Sequence, residues 1–156
     1  MEKEIKRITS FTVNHNVLEP GFYISRIDGD IVTYDLRTRK PNADSYMDHS
    51  TMHTAEHMFA TLMRNSEIAD DVVYFGPMGC QTGFYLLVKN HPHTEVFEVT
   101  KKVIEQILAY DGPVFGCSAV ECGNYRTLNL DAAKKEFAAY LEVLKNVREC
   151  DFVYKQ

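Results

Sequence analysis

Two segments rich in β-branched and aromatic residues, joined by an Asp-Gly step, constrain the fold of this chain most. Residues 21–26 and 31–37 alternate or run apolar and β-branched, and Asp28-Gly29-Asp30 lies between them. Glycine adopts the positive φ that a tight hairpin turn needs, so this arrangement predicts a β-hairpin. The chain is therefore expected to contain an antiparallel sheet that includes this hairpin.

The rest of the chain predicts three helices and two further strands. The helices are expected over residues 50–65, 95–110 and 130–147, and the strands over 72–75 and 82–89. Ser50 or Thr51 is expected to cap the first helix. The order of strand, strand, helix, strand, strand, helix and helix predicts an α+β fold, in which an antiparallel β-sheet is covered by helices in a two-layer sandwich.

Length and composition indicate a single folded domain. A chain of 156 residues can build one core, so residues 1–156 are expected to form one domain. Its 45% hydrophobic and 25% charged residues are typical of a globular protein. The net charge of −5, without a long lysine or arginine cluster, argues against binding to nucleic acid or to an anionic membrane. A charged N-terminus and no long apolar run predict a cytoplasmic protein without a membrane span.

The segment His53-Thr54-Ala55-Glu56-His57 is the first indication of chemistry. On a helix, His53 and His57 lie on one face about a turn apart and can bind one divalent metal ion. Glu56 lies near that face but is offset from it, which suits an acid/base group better than a third ligand. The pattern H-x-x-E-H also occurs in inverzincin metallopeptidases, and taken alone it is compatible with an ordinary helix.

A metal site needs a third protein ligand, and the residues leave two kinds open. The peptidase hypothesis requires a carboxylate further along the chain, and no pattern distinguishes one among the glutamates. The other candidate is the thiolate of Cys122, in a short polar segment with a glycine between two predicted helices. A His/His/Cys set leaves one coordination position open, as in catalytic metal sites.

Cys80 is the second unusual residue. It lies in GPMGCQTG, residues 76–83, where three glycines allow a ligand to approach the backbone closely. A divalent cation near a thiol favours the thiolate by Coulombic attraction, which makes the sulfur a proton acceptor near neutral pH. Cys80 is therefore a candidate for proton transfer beside a metal.

Five segments occur together between Ser10 and Tyr125. They are SFTVNH (residues 10–15), YDLR with KPN (34–37 and 40–42), HTAEH (53–57), PMGCQTGFY (77–85) and ECGNY (121–125). In sequence and in order they resemble the conserved blocks of the S-ribosylhomocysteine lyase (LuxS) family. The resemblance covers most of the chain and is far more specific than H-x-x-E-H alone.

The resemblance implies a reaction on S-ribosylhomocysteine. Its thioether would be cleaved to homocysteine and 4,5-dihydroxy-2,3-pentanedione, the precursor of the autoinducer-2 signals. The carbonyl group would migrate along the sugar through enediolates before β-elimination releases sulfur. The family uses one divalent metal ion per subunit, Fe(II) in its native form and often zinc or cobalt as isolated. The resemblance also implies a homodimer whose two subunits share the active sites.

The resemblance assigns roles to the metal-site residues and to two acid/base groups. His53, His57 and Cys122 would hold the metal, and Cys80 and Glu56 would move protons. Two alternatives stay open at this point. A metallopeptidase would have no use for Cys80, and a non-catalytic zinc module would need a fourth ligand, for which Cys80 is the obvious candidate.

The resemblance also assigns residues to the substrate. Ser10, His15 and Arg37 would contact the sugar end of the substrate from the partner subunit. Arg64 would lie near the homocysteine carboxylate, which a guanidinium can bind with two hydrogen bonds. One segment departs from the family, because many members have Asp-x-Ser where this chain has Tyr74-Phe75-Gly76. Recognition of the substrate's amino group is therefore expected to differ.

Overall fold

A computed structural model describes residues 2–156 of the chain. Over this range the helices and strands follow the predicted order. The strands are β1 (Gly21–Asp28), β2 (Ile31–Arg37), β3 (Val72–Pro77) and β4 (Gly83–Lys89), and the helices are α1 (His49–Met63), α2 (His93–Ala109) and α3 (Leu130–Leu144). Short 3-10 helices occur at Thr9–Phe11, Ala69–Asp71, Tyr125–Thr127 and Glu149–Phe152. No helix in residues 2–156 combines the length and the apolar character needed to cross a membrane.

The four strands form one antiparallel sheet in the order β1-β2-β4-β3. The predicted hairpin is confirmed, since Asp28 pairs with Ile31 and Gly29 has a φ of 63°. At the other end of β2, Arg37 pairs with Gly83 of β4. This register brings the segment that carries Cys80 next to the end of β2.

The two faces of the sheet differ because side chains alternate along each strand. One face is apolar and packs against the three helices in a single core. Its fully buried side chains are Phe22, Tyr34, Leu36, Phe84 and Leu86. The opposite face carries Tyr23, Asp35, Arg37 and Tyr85. The predicted α+β fold, an antiparallel sheet covered by helices, is thereby confirmed.

Helix α1 begins earlier than predicted. Asp48, and neither Ser50 nor Thr51, is the capping residue, because its carboxylate accepts a hydrogen bond from the Thr51 amide at 2.8 Å. Hydrogen bonds from Thr51 hold the pKa of Asp48 below its ordinary value. The Ser50 hydroxyl donates instead to the Thr127 carbonyl at 2.5 Å, so it ties the start of α1 to the segment that follows Cys122.

The segment after α3 contacts both faces of the edge strand β1. Phe152 is buried, and its ring lies 5.1 Å from the rings of Phe22 and Phe97 on the helix side of the sheet. Two residues later the ring of Tyr154 stacks on Tyr23, at 4.9 Å, on the opposite side. The C-terminal segment is therefore held around the edge of the sheet.

Candidate functional site

Three side chains that the sequence singled out come together in the structure. One ligand atom each from His53, His57 and Cys122 lies within 4.8 Å of the others, so the three residues could hold a metal ion. The histidines come from one face of α1 and the cysteine from the loop between α2 and α3. The Thr54 hydroxyl accepts a hydrogen bond from the Asn129 amide at 2.8 Å, which fastens that loop to α1.

Hydrogen bonds orient both imidazole rings. The Nδ1 atom of His57 lies 2.7 Å from the carbonyl oxygen of Phe115, and that of His53 lies 3.2 Å from the Thr127 hydroxyl. With Nδ1 engaged in each ring, Nε2 is the atom left for a metal. Outer hydrogen bonds of this kind fix ring orientation and tautomer in metal sites.

The spacing of the group and the environment of His53 suit a divalent metal. Tetrahedral coordination with Zn–S and Zn–N bonds of about 2.3 and 2.05 Å separates sulfur from nitrogen by about 3.6 Å. Here Cys122 Sγ lies 3.4 Å from His53 Nε2. Burial lowers the pKa of His53, as do the charges of His57 and His49, and this favours the neutral imidazole that binds metals. The third member is a thiol, so the group lacks the carboxylate ligand that the peptidase hypothesis requires.

Gly116 is a supporting residue that sequence analysis missed. Its φ of 70° is in the left-handed region, and a Cβ there would lie 3.1 Å from His57 Nδ1. Glycine therefore allows the turn that brings the Phe115 carbonyl to the imidazole. The only sequence signal was an isolated glycine beside Phe115, and nothing in the pattern linked it to a histidine 59 positions earlier, since that proximity arises from packing.

A Gly116→Ala variant is expected to bind the metal about tenfold more weakly. The left-handed conformation costs a non-glycine residue roughly 1–2 kcal/mol, and the added Cβ presses on the His57 ring. Competition against a chromophoric chelator measures the affinity. Gly123→Ala is the matched control, because a Cβ at Gly123 meets nothing within 4 Å. Equal affinities for the two variants would contradict this role of Gly116.

Glu56 lies between the two histidines in sequence and is part-buried in α1. Burial raises the pKa of its carboxyl group, and the charge of His57 opposes that increase in part. A carboxyl group with a raised pKa gives up and takes back a proton closer to neutral pH, as a general acid/base must.

Cys80 lies in a second cluster within the same chain. Its exposed sulfur is 3.1 Å from the Thr82 hydroxyl and 3.8 Å from Arg37 Nη1. It opens into a cavity of about 240 Å³ that is lined by His15, Pro41, Asn42, Tyr46, Cys80 and Thr82. In the described part of the chain, Cys80 is not a member of the metal-ligand group, so that group offers a metal three protein ligands.

Ser10 and Arg64 lie outside both clusters. Ser10 lines a cavity of about 250 Å³ on the polar face of the sheet, together with Tyr74 and Tyr85. The Arg64 guanidinium donates hydrogen bonds to the Val72 and Val73 carbonyls at 3.2 and 2.9 Å, which links the end of α1 to β3. The roles of Ser10 and Arg64 toward a substrate therefore stay predictions.

Comparisons with known proteins give one consistent result. Residues 8–150 match the sequence model of a family described as S-ribosylhomocysteinase (LuxS). The chain is 42% identical over 156 residues to the S-ribosylhomocysteine lyase of Borreliella afzelii (strain PKo), with 96% of this chain and 99% of the relative covered. It is 40% identical to the S-ribosylhomocysteine lyase of Finegoldia magna, with 97% and 100% covered. It is also 40% identical to that of Clostridium beijerinckii, with 96% and 99% covered.

Proposed function

Because the chain belongs to the S-ribosylhomocysteinase (LuxS) family, we propose that it cleaves the thioether of S-ribosylhomocysteine to homocysteine and 4,5-dihydroxy-2,3-pentanedione. The relatives that match nearly the whole chain are named for a carbon–sulfur lyase, and this chain is an enzyme of that class. The observation that carries the proposal is the group of His53, His57 and Cys122, which can hold a metal and leave one position open.

The reaction needs groups that move protons between neighbouring carbons of the sugar. Sulfur can leave by β-elimination only after the carbonyl has migrated, and each migration removes a proton from one carbon and returns one to the next. Cys80 and Glu56 would carry these protons, since one is an exposed thiol and the other a carboxyl with a raised pKa. A divalent ion held by the three ligands would supply a Lewis acid that stabilises the negative charge of the enediolate.

Arg37 would support the proton transfer at Cys80. Its guanidinium lies 3.8 Å from the sulfur, and a cation near a thiol favours the reactive thiolate. Burial opposes the charge on Arg37, but the attraction and hydrogen bond of Asp35 outweigh this effect and raise the pKa of Arg37. Arg37 is therefore a permanent positive charge beside Cys80.

A homodimer with shared active sites accounts for the separation of the two clusters. By resemblance, His15 and Arg37 serve the metal site of the partner subunit, and Cys80 shares its cavity with His15 and contacts Arg37. Cys80 would then act on the partner's metal site as well. Large apolar side chains of the N-terminal segment also support a subunit interface, because Ile8 and Phe11 are 56% and 64% exposed.

The identity of the metal, the single domain and the cellular location are each proposed on a separate ground. Two imidazoles and a thiolate accommodate iron, cobalt or zinc, and Fe(II) is proposed as the native ion by resemblance to the family. Residues 1–156 are proposed to form one domain, which the shared core of the described elements supports. The free thiols of Cys80, Cys117 and Cys150 are exposed and fit the reducing cytoplasm as the proposed location.

A thiol assay tests the proposed function. The protein, loaded with Fe(II) under anaerobic conditions, is expected to release homocysteine from S-ribosylhomocysteine, and a dye that reacts with free thiols measures the rate. Metal content is determined on the same sample, so that an inactive preparation without metal is recognised. A stoichiometrically loaded protein that releases no thiol would refute the proposal, and hydrolysis of an unfolded polypeptide by that sample would favour the peptidase instead.

A further inference from the structure

Hydrogen bonds connect the C-terminal segment to Cys80. The Tyr154 hydroxyl donates to Asp35 Oδ2 at 2.6 Å, and Arg37 Nη2 donates to the same oxygen at 2.6 Å. Arg37 Nη1 then donates to the Thr82 hydroxyl at 2.8 Å and lies 3.8 Å from Cys80 Sγ. A change at Tyr154 can therefore reach the thiol through two side chains.

The ion pair between Asp35 and Arg37, in the middle of this series of hydrogen bonds, is buried and has few hydrogen-bond partners. Asp35 is 0% and Arg37 3% exposed. In residues 2–156, Asp35 Oδ1 and Arg37 Nε have no hydrogen-bond partner. The carboxylate is thus held at one oxygen only, by Arg37 and by Tyr154. A buried ion pair depends on such additional hydrogen bonds, because they compensate the lost hydration of its charges.

The Tyr154 ring is held independently of its hydroxyl. Phe152 anchors the C-terminal segment in the core on one side of β1, and the stacking of Tyr154 on Tyr23 fixes it on the other. A phenylalanine at position 154 would therefore keep the ring in place and remove the hydroxyl's hydrogen bonds, to Asp35 and to Ser25. This makes the hydroxyl testable without unfolding the segment.

We propose that Tyr154 is a positioning residue for proton transfer: its hydroxyl fixes the Asp35 carboxylate, which fixes the Arg37 guanidinium against Cys80. The proposal rests on the proposed function, in which Cys80 moves protons. Tyr154 lies beyond residues 8–150, over which the family pattern matches, and no motif of the sequence included it.

Loss of the Tyr154 hydroxyl is expected to disfavour the thiolate form of Cys80. The Asp35 charge would be less compensated, so it would draw Arg37 more strongly toward itself and add negative potential near Cys80. Both effects disfavour the thiolate. Other ionisable side chains near Cys80 and the ion pair include His15 and Tyr46 in the cavity, Tyr85 on β4 and Tyr23 on β1, and the substitution leaves all four in place.

The rate of Cys80 alkylation is the decisive measurement. Metal-loaded Tyr154→Phe protein is treated with iodoacetamide over a series of pH values, and mass spectrometry of the Cys80 peptide separates this thiol from the other three. Near pH 7 we expect a roughly threefold to tenfold lower rate than in the unmodified chain, with the two rates converging at alkaline pH. In the thiol assay, kcat is expected to fall by a similar factor with KM unchanged.

Tyr23→Phe is the matched control, because it removes a hydroxyl from the other ring of the same stack. That hydroxyl donates to the Glu19 carbonyl and not to Asp35. Equal alkylation profiles for Tyr154→Phe and the unmodified chain would overturn the proposal, and so would the same decrease in both variants. Alkylation needs no substrate, so this result stands apart from the proposed function, which fails only if the loaded unmodified enzyme releases no homocysteine.

Discussion

Cys80→Ala protein is expected to keep its metal and to release homocysteine roughly 10²- to 10⁴-fold more slowly, the range that loss of a general acid/base group produces. The metal should stay because Cys80 lies outside the group formed by His53, His57 and Cys122. Metal analysis and the thiol assay on the same sample measure both quantities.

Cys150→Ala is the control for the loss of an exposed thiol, since the Cys150 thiol lies at the surface beside Asp151 and is not in the metal-ligand group. Full turnover by the Cys80→Ala protein would show that the acid/base assignment is wrong. Loss of the metal from this variant would favour the structural zinc module, in which Cys80 is a fourth ligand.

Cys122→Ala protein is expected to bind the metal at least about 100-fold more weakly and to be inactive. Loss of an outer hydrogen bond alone costs a metal site about 10- to 100-fold in affinity, and this variant loses a ligand. The two imidazoles that remain cannot compensate for the missing thiolate. The effect is measured as the metal content that remains after gel filtration in a buffer that contains a chelator. Circular dichroism checks that the variant is folded.

Cys117→Ala is the matched control in the same loop, because Cys117 Sγ contacts the Tyr125 carbonyl and is not in the metal-ligand group. Stoichiometric metal in the Cys122→Ala protein would refute the ligand assignment.

Combining the two inactive variants, Cys80→Ala and Cys122→Ala, tests whether the two subunits share each active site. Random reassociation into mixed dimers should restore roughly a quarter of the original activity, since half of the dimers would have one intact site. No recovery in verified mixed dimers would show that each site lies within one chain.

Much of the fold follows from local patterns in the sequence. The Asp28-Gly29 step and the alternation of side chains in β2 and β4 predict the hairpin and the apolar face of the sheet. The predicted capping residue of α1 was wrong by two or three positions, because Asp48, Ser50 and Thr51 are all acceptable caps by local preference. The contact of Ser50 with Thr127 decides between them, and such a contact lies outside any local pattern.

The candidate site also has a part that local patterns predict and a part that depends on tertiary packing. Helical periodicity alone predicts that His53 and His57 share a face of α1. The proximity of Cys122 depends on how the loop between α2 and α3 packs on α1, so composition and spacing could only offer it as one alternative. Likewise Arg37 meets Cys80 because β2 pairs with β4 in a register that places Arg37 opposite Gly83, and no single segment encodes that pairing.

The ligand group and the thiol belong to different layers of the molecule, and this separation makes the metal an exchangeable experimental variable. His53 and His57 lie on α1, whose opposite face buries its own side chains Ala55, Met58 and Phe59, all 0% exposed, in the core. That buried face fixes the helix in the core, so stripping and reloading the metal should leave the fold of the helix and sheet in place. Turnover rates obtained with iron, cobalt and zinc in one preparation would then compare the electronic properties of the ions themselves.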